Sequence, residues 1–344
     1  MTLKTLLLGS AAAFAVVGGA QAADLSVAEP VESVRICDAF AGGYWYIPGS
    51  DTCLKIGGSV EFQVNLHSLA SNASPSHSGN WDFLTKFGLT ADARSVVDVG
   101  TLEGYVKIKG TFDGVGTTPT VTTDEAWLSL GALKAGHFDS PFKPGSGFVD
   151  YITTTSNVGS NNKLQLGWAA AGFGLALGIE DPRETWGSSL PDSWSMPLIT
   201  GAITASSGSV AGFLSAGFVQ LDGSGGTSTT AWGVSGKVDI GIGANDKLKL
   251  IGIYGDGKFV GGGGNGYNNG WSAIASFQHL FSSKLAFDVD YSYLHAAQGS
   301  PTADTWNIAG DLVWTPYTNF KGKLIAGWTN TGTWSGRVSL ARSW

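Results

Sequence analysis

Residues 334–344 read Trp-Ser-Gly-Arg-Val-Ser-Leu-Ala-Arg-Ser-Trp, and polarity alternates along this stretch. Successive side chains of a β-strand point to opposite faces, so the alternation gives a strand with two unlike faces. The apolar face carries Trp334, Gly336, Val338, Leu340 and Trp344, and only Arg342 interrupts it. An apolar face with aromatic residues at both ends predicts a strand of a transmembrane β-barrel.

The same period of two recurs clearly in residues 54–66, 285–293 and 306–314. Periodicity alone fits a soluble sandwich as well as a barrel, so the aromatic residues decide between them. Trp306 and Trp314 lie eight residues apart on one face, roughly 27 Å along a strand. This span matches the apolar band of about 25 Å between the aromatic girdles of outer-membrane barrels. The predicted girdle residues are Trp306, Trp314, Phe320, Trp328, Trp334 and Trp344.

Alternating segments separated by clusters of Gly, Asn, Asp, Ser and Pro give sixteen predicted strands. They span residues 54–66, 81–92, 100–112, 121–130, 132–138, 163–170, 172–180, 198–206, 209–221, 227–241, 246–256, 269–279, 284–295, 304–315, 320–330 and 334–344. Long and short connections alternate along the chain, as they do between the outside of the cell and the periplasm in outer-membrane barrels. We therefore predict an all-β fold, a 16-stranded antiparallel transmembrane β-barrel over residues 54–344.

The N-terminus predicts export. Residues 1–22 contain Lys4, an apolar run and the pattern Ala20-Gln21-Ala22, which together predict a signal peptide. Charged residues are only 14% of the chain and Gly is 51 of 344 residues, as a lipid-facing wall with tight turns requires. The net charge of −7, without a basic cluster, argues against nucleic acid as a partner.

Residues 23–53 form a predicted lead-in to the barrel and contain both cysteines, Cys37 and Cys53. An even number of cysteines in an oxidising compartment predicts a disulfide, which would stabilise the fold by about 3 kcal/mol on the chain-entropy estimate. Two unpaired thiols remain the alternative. The five histidines show no metal-ligand spacing, and no nucleophile-elbow motif is present. We expect no cofactor, no metal and no catalytic residues.

The segment from Cys37 through Tyr44-Trp45-Tyr46-Ile47-Pro48 to Cys53, followed by Leu54-Lys-Ile-Gly-Gly, resembles the N-terminal signature of alphaproteobacterial porins of the Brucella and rhizobial type. The end of the signal peptide and the run from Val313 to Phe320 are also similar to that family, and together the match spans the precursor. Such porins usually end in Phe, whereas this chain ends in Trp344. The resemblance implies a homotrimer in the outer membrane, in contact with lipid and lipopolysaccharide.

In such porins the loop after the fifth strand folds into the barrel and narrows it, and residues 139–162 hold that place here. Loop charges opposite wall charges would create a field across the pore that selects solutes. The expected constriction residues are Asp139, Lys143 and Asp150 on the loop, with Lys55, Glu61, Lys86, Glu103, Lys107 and Lys109 on early strands. For any one of them, solvation of a wet lumen or a loop tip is the alternative role.

The predicted function is passive diffusion of small hydrophilic solutes and ions through a general porin. One alternative is a closed outer-membrane barrel that acts as an adhesin or receptor, and another is an outer-membrane hydrolase. A secreted β-sandwich lectin is the third, and it predicts solubility without detergent. An inward-folded loop and an open, charged lumen would distinguish the porin from the closed barrel.

Overall fold

The computed structural model describes residues 35–40, 42–68, 80–113, 119–150, 156, 158–183, 193–194, 196–222, 228–260, 269–295 and 304–344. The predicted signal peptide at 1–22 and residues 23–34 of the lead-in lie outside these ranges and stay predictions. Within the ranges, no helix is both long and apolar enough to cross a membrane.

The described residues form eighteen β-strands, of which β1 and β9 are two-residue pieces. The strands are β1 Trp45–Tyr46, β2 Cys53–His67, β3 Trp81–Val97, β4 Gly100–Phe112, β5 Thr120–Leu130, β6 Leu133–Asp139, β7 Ser160–Ala170, β8 Phe173–Glu180, β9 Ser193–Trp194, β10 Leu198–Ser207, β11 Val210–Asp222, β12 Ser228–Ile242, β13 Asp246–Asp256, β14 Asn269–Ser282, β15 Leu285–His295, β16 Asp304–Trp314, β17 Phe320–Thr329 and β18 Trp334–Ser343. The remaining sixteen strands form the wall.

The wall is a closed antiparallel ring. Consecutive wall strands pair with one another, β8 pairs directly with β10 because the short β9 pairs with β11, and β18 pairs with β2. In the closing pair Val338 lies opposite Val64, and the backbone of Trp344 exchanges two hydrogen bonds with Gly58. A closed ring leaves no unpaired wall edge in lipid, which is why only barrels cross a membrane with strands. The predicted 16-stranded antiparallel barrel is confirmed.

Each predicted strand coincides with one wall strand, and most bounds agree within two residues. Three strands extend three or more residues beyond their predicted bounds. β3 continues to Val97 because Val97 pairs with Gly100 across a two-residue turn. β7 begins at Ser160 because Ser160 pairs with Asp139, and β14 continues to Ser282 through an irregularity after Leu280.

Alternate residues of the wall face lipid and lumen. On β2, the side chain of Phe62 is 41% exposed on the outer face, whereas Gln63 is 2% exposed on the inner face. The short turns lie at one end of the barrel, here called the near end, and include the two-residue turns at 131–132 and 208–209. Gly131 and Gly208 both adopt φ of +57°, a backbone conformation that glycine adopts without steric cost. The opposite end, called the far end, carries the long connections.

The six predicted girdle residues lie at strand ends on the outer face. Trp306, Trp328 and Trp334 are at the far end, and Trp328 lies opposite Trp334. The near end has Trp314, Phe320 and Trp344, and the Trp314 and Phe320 rings meet edge to face at 6.3 Å. Their contact with the membrane interface stays a prediction.

Part of the lumen is filled by an apolar core. The chain between β6 and β7 folds inward and packs with residues 258–260 against the inner faces of β10–β15. The buried members of this core are Phe142, Val158, Leu198, Val219, Leu221, Ala231, Ile253, Phe259, Val260 and Leu294. The loop and residues 258–260 cover the inner face of the wall in this sector, so the free part of the lumen lies toward β2–β6.

Candidate functional site

The constriction loop is the segment between β6 and β7, and its root is fixed on β8. The backbone N–H of Ser140 donates to the Gly159 carbonyl at 3.2 Å, which closes the base of the loop. Buried Glu180 accepts hydrogen bonds from Ser140 Oγ and Asn161 Nδ2, each at 2.7 Å. A buried carboxylate needs such donors, and here they come from both sides of the loop base.

The loop then crosses the lumen along the wall. Phe142 is 0% exposed, and its ring packs against Phe259 with the centroids 5.0 Å apart. The Phe142 carbonyl accepts from Ser215 Oγ at 3.0 Å and Ser235 Oγ at 2.7 Å, on β11 and β12. The loop is therefore held by apolar packing and by hydrogen bonds to inward-facing wall residues.

The tip of the loop is docked on the wall opposite β4. The backbone N–H groups of Phe148 and Val149 donate to Asp290 at 3.2 and 3.0 Å, and Lys249 Nζ donates to the Ser146 carbonyl at 3.2 Å. A Cβ on Gly147 would lie 1.8 Å from Asp290 Oδ2, so the backbone approaches the wall as closely as only glycine allows.

The wall that the loop leaves uncovered carries interleaved bases and acids. Lys107 and Lys109 both donate to Asp124, at 2.7 and 2.6 Å, and Lys107 lies 3.5 Å from Glu125. The side chain of Lys109 is 51% exposed. Nearer the near end, Arg94 pairs with Asp92 at 2.9 Å and with Glu103 at 2.6 Å. These pairs lie on the inner faces of β3–β5 and are accessible to water. Together with Glu61 and Lys86 beside them, they are here called the charged wall.

A β-bulge places Asp124 in the lumen. Lys107 pairs with Glu125 and Ile108 with Thr123, so Asp124 is the extra residue of β5. Two consecutive acids, Asp124 and Glu125, consequently both face inward, which regular alternation would forbid. Bulges re-aim side chains in this way and are frequent beside functional sites.

The predicted site residues on the early strands lie at three places. Glu103, Lys107 and Lys109 lie in the charged wall, while Glu61 and Lys86 face each other across β2 and β3. Lys55 lies closer to the near end, and its Nζ is 5.5 Å from the centroid of the Tyr44 ring.

Among the described residues, the loop charges form ion pairs within the loop and with a late strand, and their opposition to the early strands across the lumen stays a prediction. Asp139 is bonded by Lys143 at 2.8 Å, within the same turn of chain, and Asp150 pairs with Lys323 on β17. Asp150, the acid at the docked tip, therefore faces β17. The three paired bases of the charged wall have their ion-pair partners within that wall. Sequence reasoning missed Asp92, Arg94, Asp124, Glu125 and Lys323. The doubled acid at 124–125, which breaks the alternation of β5, was a usable signal.

A cavity of about 610 Å³ lies between the loop tip and the wall, and its lining includes Glu61, Asp150, Lys321 and Lys323. This cavity lies beside the docked tip, at the near ends of β2, β17 and β18.

The lead-in forms a hairpin at the near mouth. A disulfide joins Cys37 to Cys53, with the Cα atoms 5.9 Å apart, as predicted from the cysteine count. Tyr44 is buried beneath it and donates its hydroxyl to Asp92 at 2.7 Å. Burial, and then the hydrogen bond to Asp92, raise the pKa of Tyr44 to about 12. The hairpin is thus anchored to a member of the charged wall.

No group of three or more His, Cys, Asp or Glu side chains in the described part of the chain is arranged to hold a metal. Three histidines instead pair singly with aspartates at strand ends, each at 2.7 or 2.8 Å: His67 with Asp82, His279 with Asp246 and His295 with Asp304.

A family model described as "Porin subfamily" matches residues 24–341. The chain belongs to this porin subfamily. Porin Omp2b of Brucella suis is 28% identical over 383 residues, covering 100% of both chains, and a putative outer membrane protein of Sinorhizobium fredii is 36% identical over 53% of this chain and 55% of its own. Both relatives are alphaproteobacterial, as the resemblance implied.

Among solved structures, OmpF of Salmonella typhi in complex with daunomycin superposes with a TM-score of 0.68 at 9% identity, covering 86% of this porin and 98% of OmpF. A trimer form of OmpT of Vibrio cholerae gives 0.60 at 11% identity, covering 86% and 100%. These likenesses support the barrel fold.

This porin is a passive diffusion channel of the bacterial outer membrane, and not an enzyme. Nothing in its family or fold favours the adhesin, hydrolase or lectin alternatives.

Proposed function

We propose that solutes cross this porin through the gap between the docked loop and the charged wall, and that the charge balance of that wall sets the ion preference. The charged wall consists of Asp92, Arg94, Glu103, Lys107, Lys109, Asp124 and Glu125, together with Glu61 and Lys86. The observation that carries the proposal is the docking of the loop tip on Asp290, on the other side of the lumen.

The proposed filter is nearly neutral because its four bases lie among five acids, and Arg94, Lys107 and Lys109 each have an acid within ion-pair distance. Small charged solutes of either sign then pass, and the residual field tunes the preference. Removing a single charge would tip this balance, since the partner left behind is uncompensated.

The experiment is the reversal potential of the purified porin in a planar bilayer under a salt gradient. Replacing Lys86, Lys107 and Lys109 together by Gln removes three positive charges and should shift the preference toward cations. Asp124→Asn, which frees two lysines from their shared acceptor, should shift it toward anions. Unchanged reversal potentials in both variants would contradict this placement of the filter.

We further propose that three copies assemble in the membrane, in contact with lipid and lipopolysaccharide. The support is the porin family and the trimer form of OmpT, which has the same fold. Native mass spectrometry in detergent should give the mass of three mature chains, and single insertions should add conductance in three equal steps. A monomer mass together with single steps would contradict the proposal.

A further inference from the structure

The two mouths of the barrel carry opposite charge. Eight carboxylates and one base, Lys258, lie within two residues of the far end of a strand. These acids are Asp82, Asp113, Asp139, Glu180, Asp181, Asp222, Asp256 and Asp304. Two further bases in the connections just outside that window, Lys143 and Arg183, pair with Asp139 and Asp181, so the far end keeps an excess of acid. Counting described residues by the same rule, the near end has six bases, which are Lys55, Lys134, Lys247, Lys284, Lys321 and Arg342. Its acids by that rule are three, Asp51, Asp98 and Asp246.

The far end also carries the long connections between the strands, so the excess of acid lies on that side.

The near-end bases are available to the lumen. Lys247 and Lys321 are exposed and occupy inward positions, each one residue above the near end of its strand, and Lys284 is exposed in the adjoining turn. Lys247, Lys284 and Lys321 form no ion pair with any described residue. Deeper in the same sector, Lys237 and Lys249 share one acid, Asp239, at 3.7 and 4.0 Å.

The two charged zones act separately at ordinary salt. They are separated by the apolar band, about 25 Å in such barrels. The screening length is about 8–10 Å at physiological ionic strength, so neither zone cancels the other in the lumen. The acidic mouth concentrates cations and the basic mouth concentrates anions.

We propose that this porin rectifies, passing more current when the side of the long connections is positive. At that polarity cations enter through the acidic mouth and anions through the basic mouth, so both ions accumulate in the lumen. At the opposite polarity each mouth must admit the ion that it repels, and the lumen is depleted. The same zones favour entry of cationic solutes from the far side and of anionic solutes from the near side.

The test is the current at equal and opposite voltages in symmetric KCl, for single insertions of known direction. Ala244→Cys lies in an exposed near-end turn, and its thiol is the only free one because both native cysteines are in the disulfide. Biotin at that position, with streptavidin added to one compartment, reports the direction. We expect a current ratio of about 1.5 or more at about 0.1 M salt, falling to unity at about 1 M, where the screening length is about 3 Å.

Two variants assign the effect to the mouths. Replacing Lys247, Lys284 and Lys321 by Gln should lower the current ratio toward unity. If that variant fails to fold, replacing Asp82, Asp222 and Asp304 by Asn tests the far end, and it should lower the ratio in the same way. The matched control, Asp51→Asn with Asp98→Asn, removes near-end acids and should raise the ratio.

The proposal is wrong if the wild-type current is symmetric at low salt, if the sign is reversed, or if the ratio survives loss of the three lysines. These outcomes are distinct from failure of the proposed filter. If the proposed filter is wrong, the charged-wall variants leave the reversal potential unchanged, whatever the ratio of the currents at opposite voltages.

Discussion

At the scale of single residues, the position of the constriction loop depends on one missing side chain. A Cβ on Gly147 would lie 1.8 Å from Oδ2 of Asp290 and 2.5 Å from Oγ of Ser276, and Asp290 is fully buried. In Gly147→Ala we expect the tip to move away from its wall, into the gap, and to lose two hydrogen bonds to a carboxylate, worth about 1.5–3 kcal/mol each. We expect a lower single-channel conductance with frequent partial closures.

Gly159→Ala is the matched control, because a Cβ there meets nothing within 4 Å and the residue lies in the same loop. It should conduct like the wild type. If Gly147→Ala also conducts like the wild type, the tip is not held by its approach to Asp290.

Tyr44 gives a residue-scale prediction on pH. Its folded pKa of about 12 lies above the ordinary value of 10.0, so the neutral hydroxyl is the form that the folded state favours. This contribution to stability is complete below pH 10.0 and is lost as the pH rises through about 12. We expect the near-mouth hairpin to undock in that range, read as a late tyrosinate absorbance step that Tyr44→Phe lacks. Identical titrations would contradict the docked hydroxyl.

At the scale of elements, the bulge in β5 can be tested by deleting a residue, because a side-chain substitution leaves the register of the strand unchanged. Thr123 faces out and Glu125 faces in, so deleting Asp124 restores regular alternation on both sides of the deletion. The shortened strand should fold and should shift the reversal potential toward anions, because Lys107 and Lys109 lose their shared acceptor. Deleting Val106, in the regularly paired part of β4, moves the rest of that strand to the wrong face and should abolish folding.

The sequence could predict the wall strands because a lipid-facing strand must alternate and must stop at a turn residue. It could not predict the inner faces of β10–β15. Val219, Leu221 and Ile253 face the lumen and are apolar because the loop and Phe259 cover them, and this cover comes from a distant part of the chain. The sequence predicted only part of the charged wall, for a related reason. Lys107 and Lys109 follow the alternation, whereas the inward placement of Asp124 depends on a register shift relative to β4.

At the scale of the whole molecule, the order of the strands in the chain matters less than the closure of the ring. β18 pairs with β2, and Trp344 is bonded to the backbone of Gly58, so the last wall strand and the first meet at the near end. The hairpin at β1 also pairs with the near end of β2. A short flexible linker can therefore join residue 344 to residue 35, because both lie at the near end of the barrel.

A circular permutant that begins at Asn80, continues through Trp344 and the linker, and ends at Ser68 keeps every wall pairing. Its new ends lie in the connection between β2 and β3, where no ladder is cut. We expect a folded, heat-modifiable band on gels and wild-type conductance, since the free energy of the barrel comes from strand pairs and buried faces rather than from chain order. A permutant opened inside β12, between Val234 and Ser235, cuts the ladders to β11 and β13 and should not fold. If the first permutant also fails to fold, the native order of assembly, and not closure alone, determines the barrel.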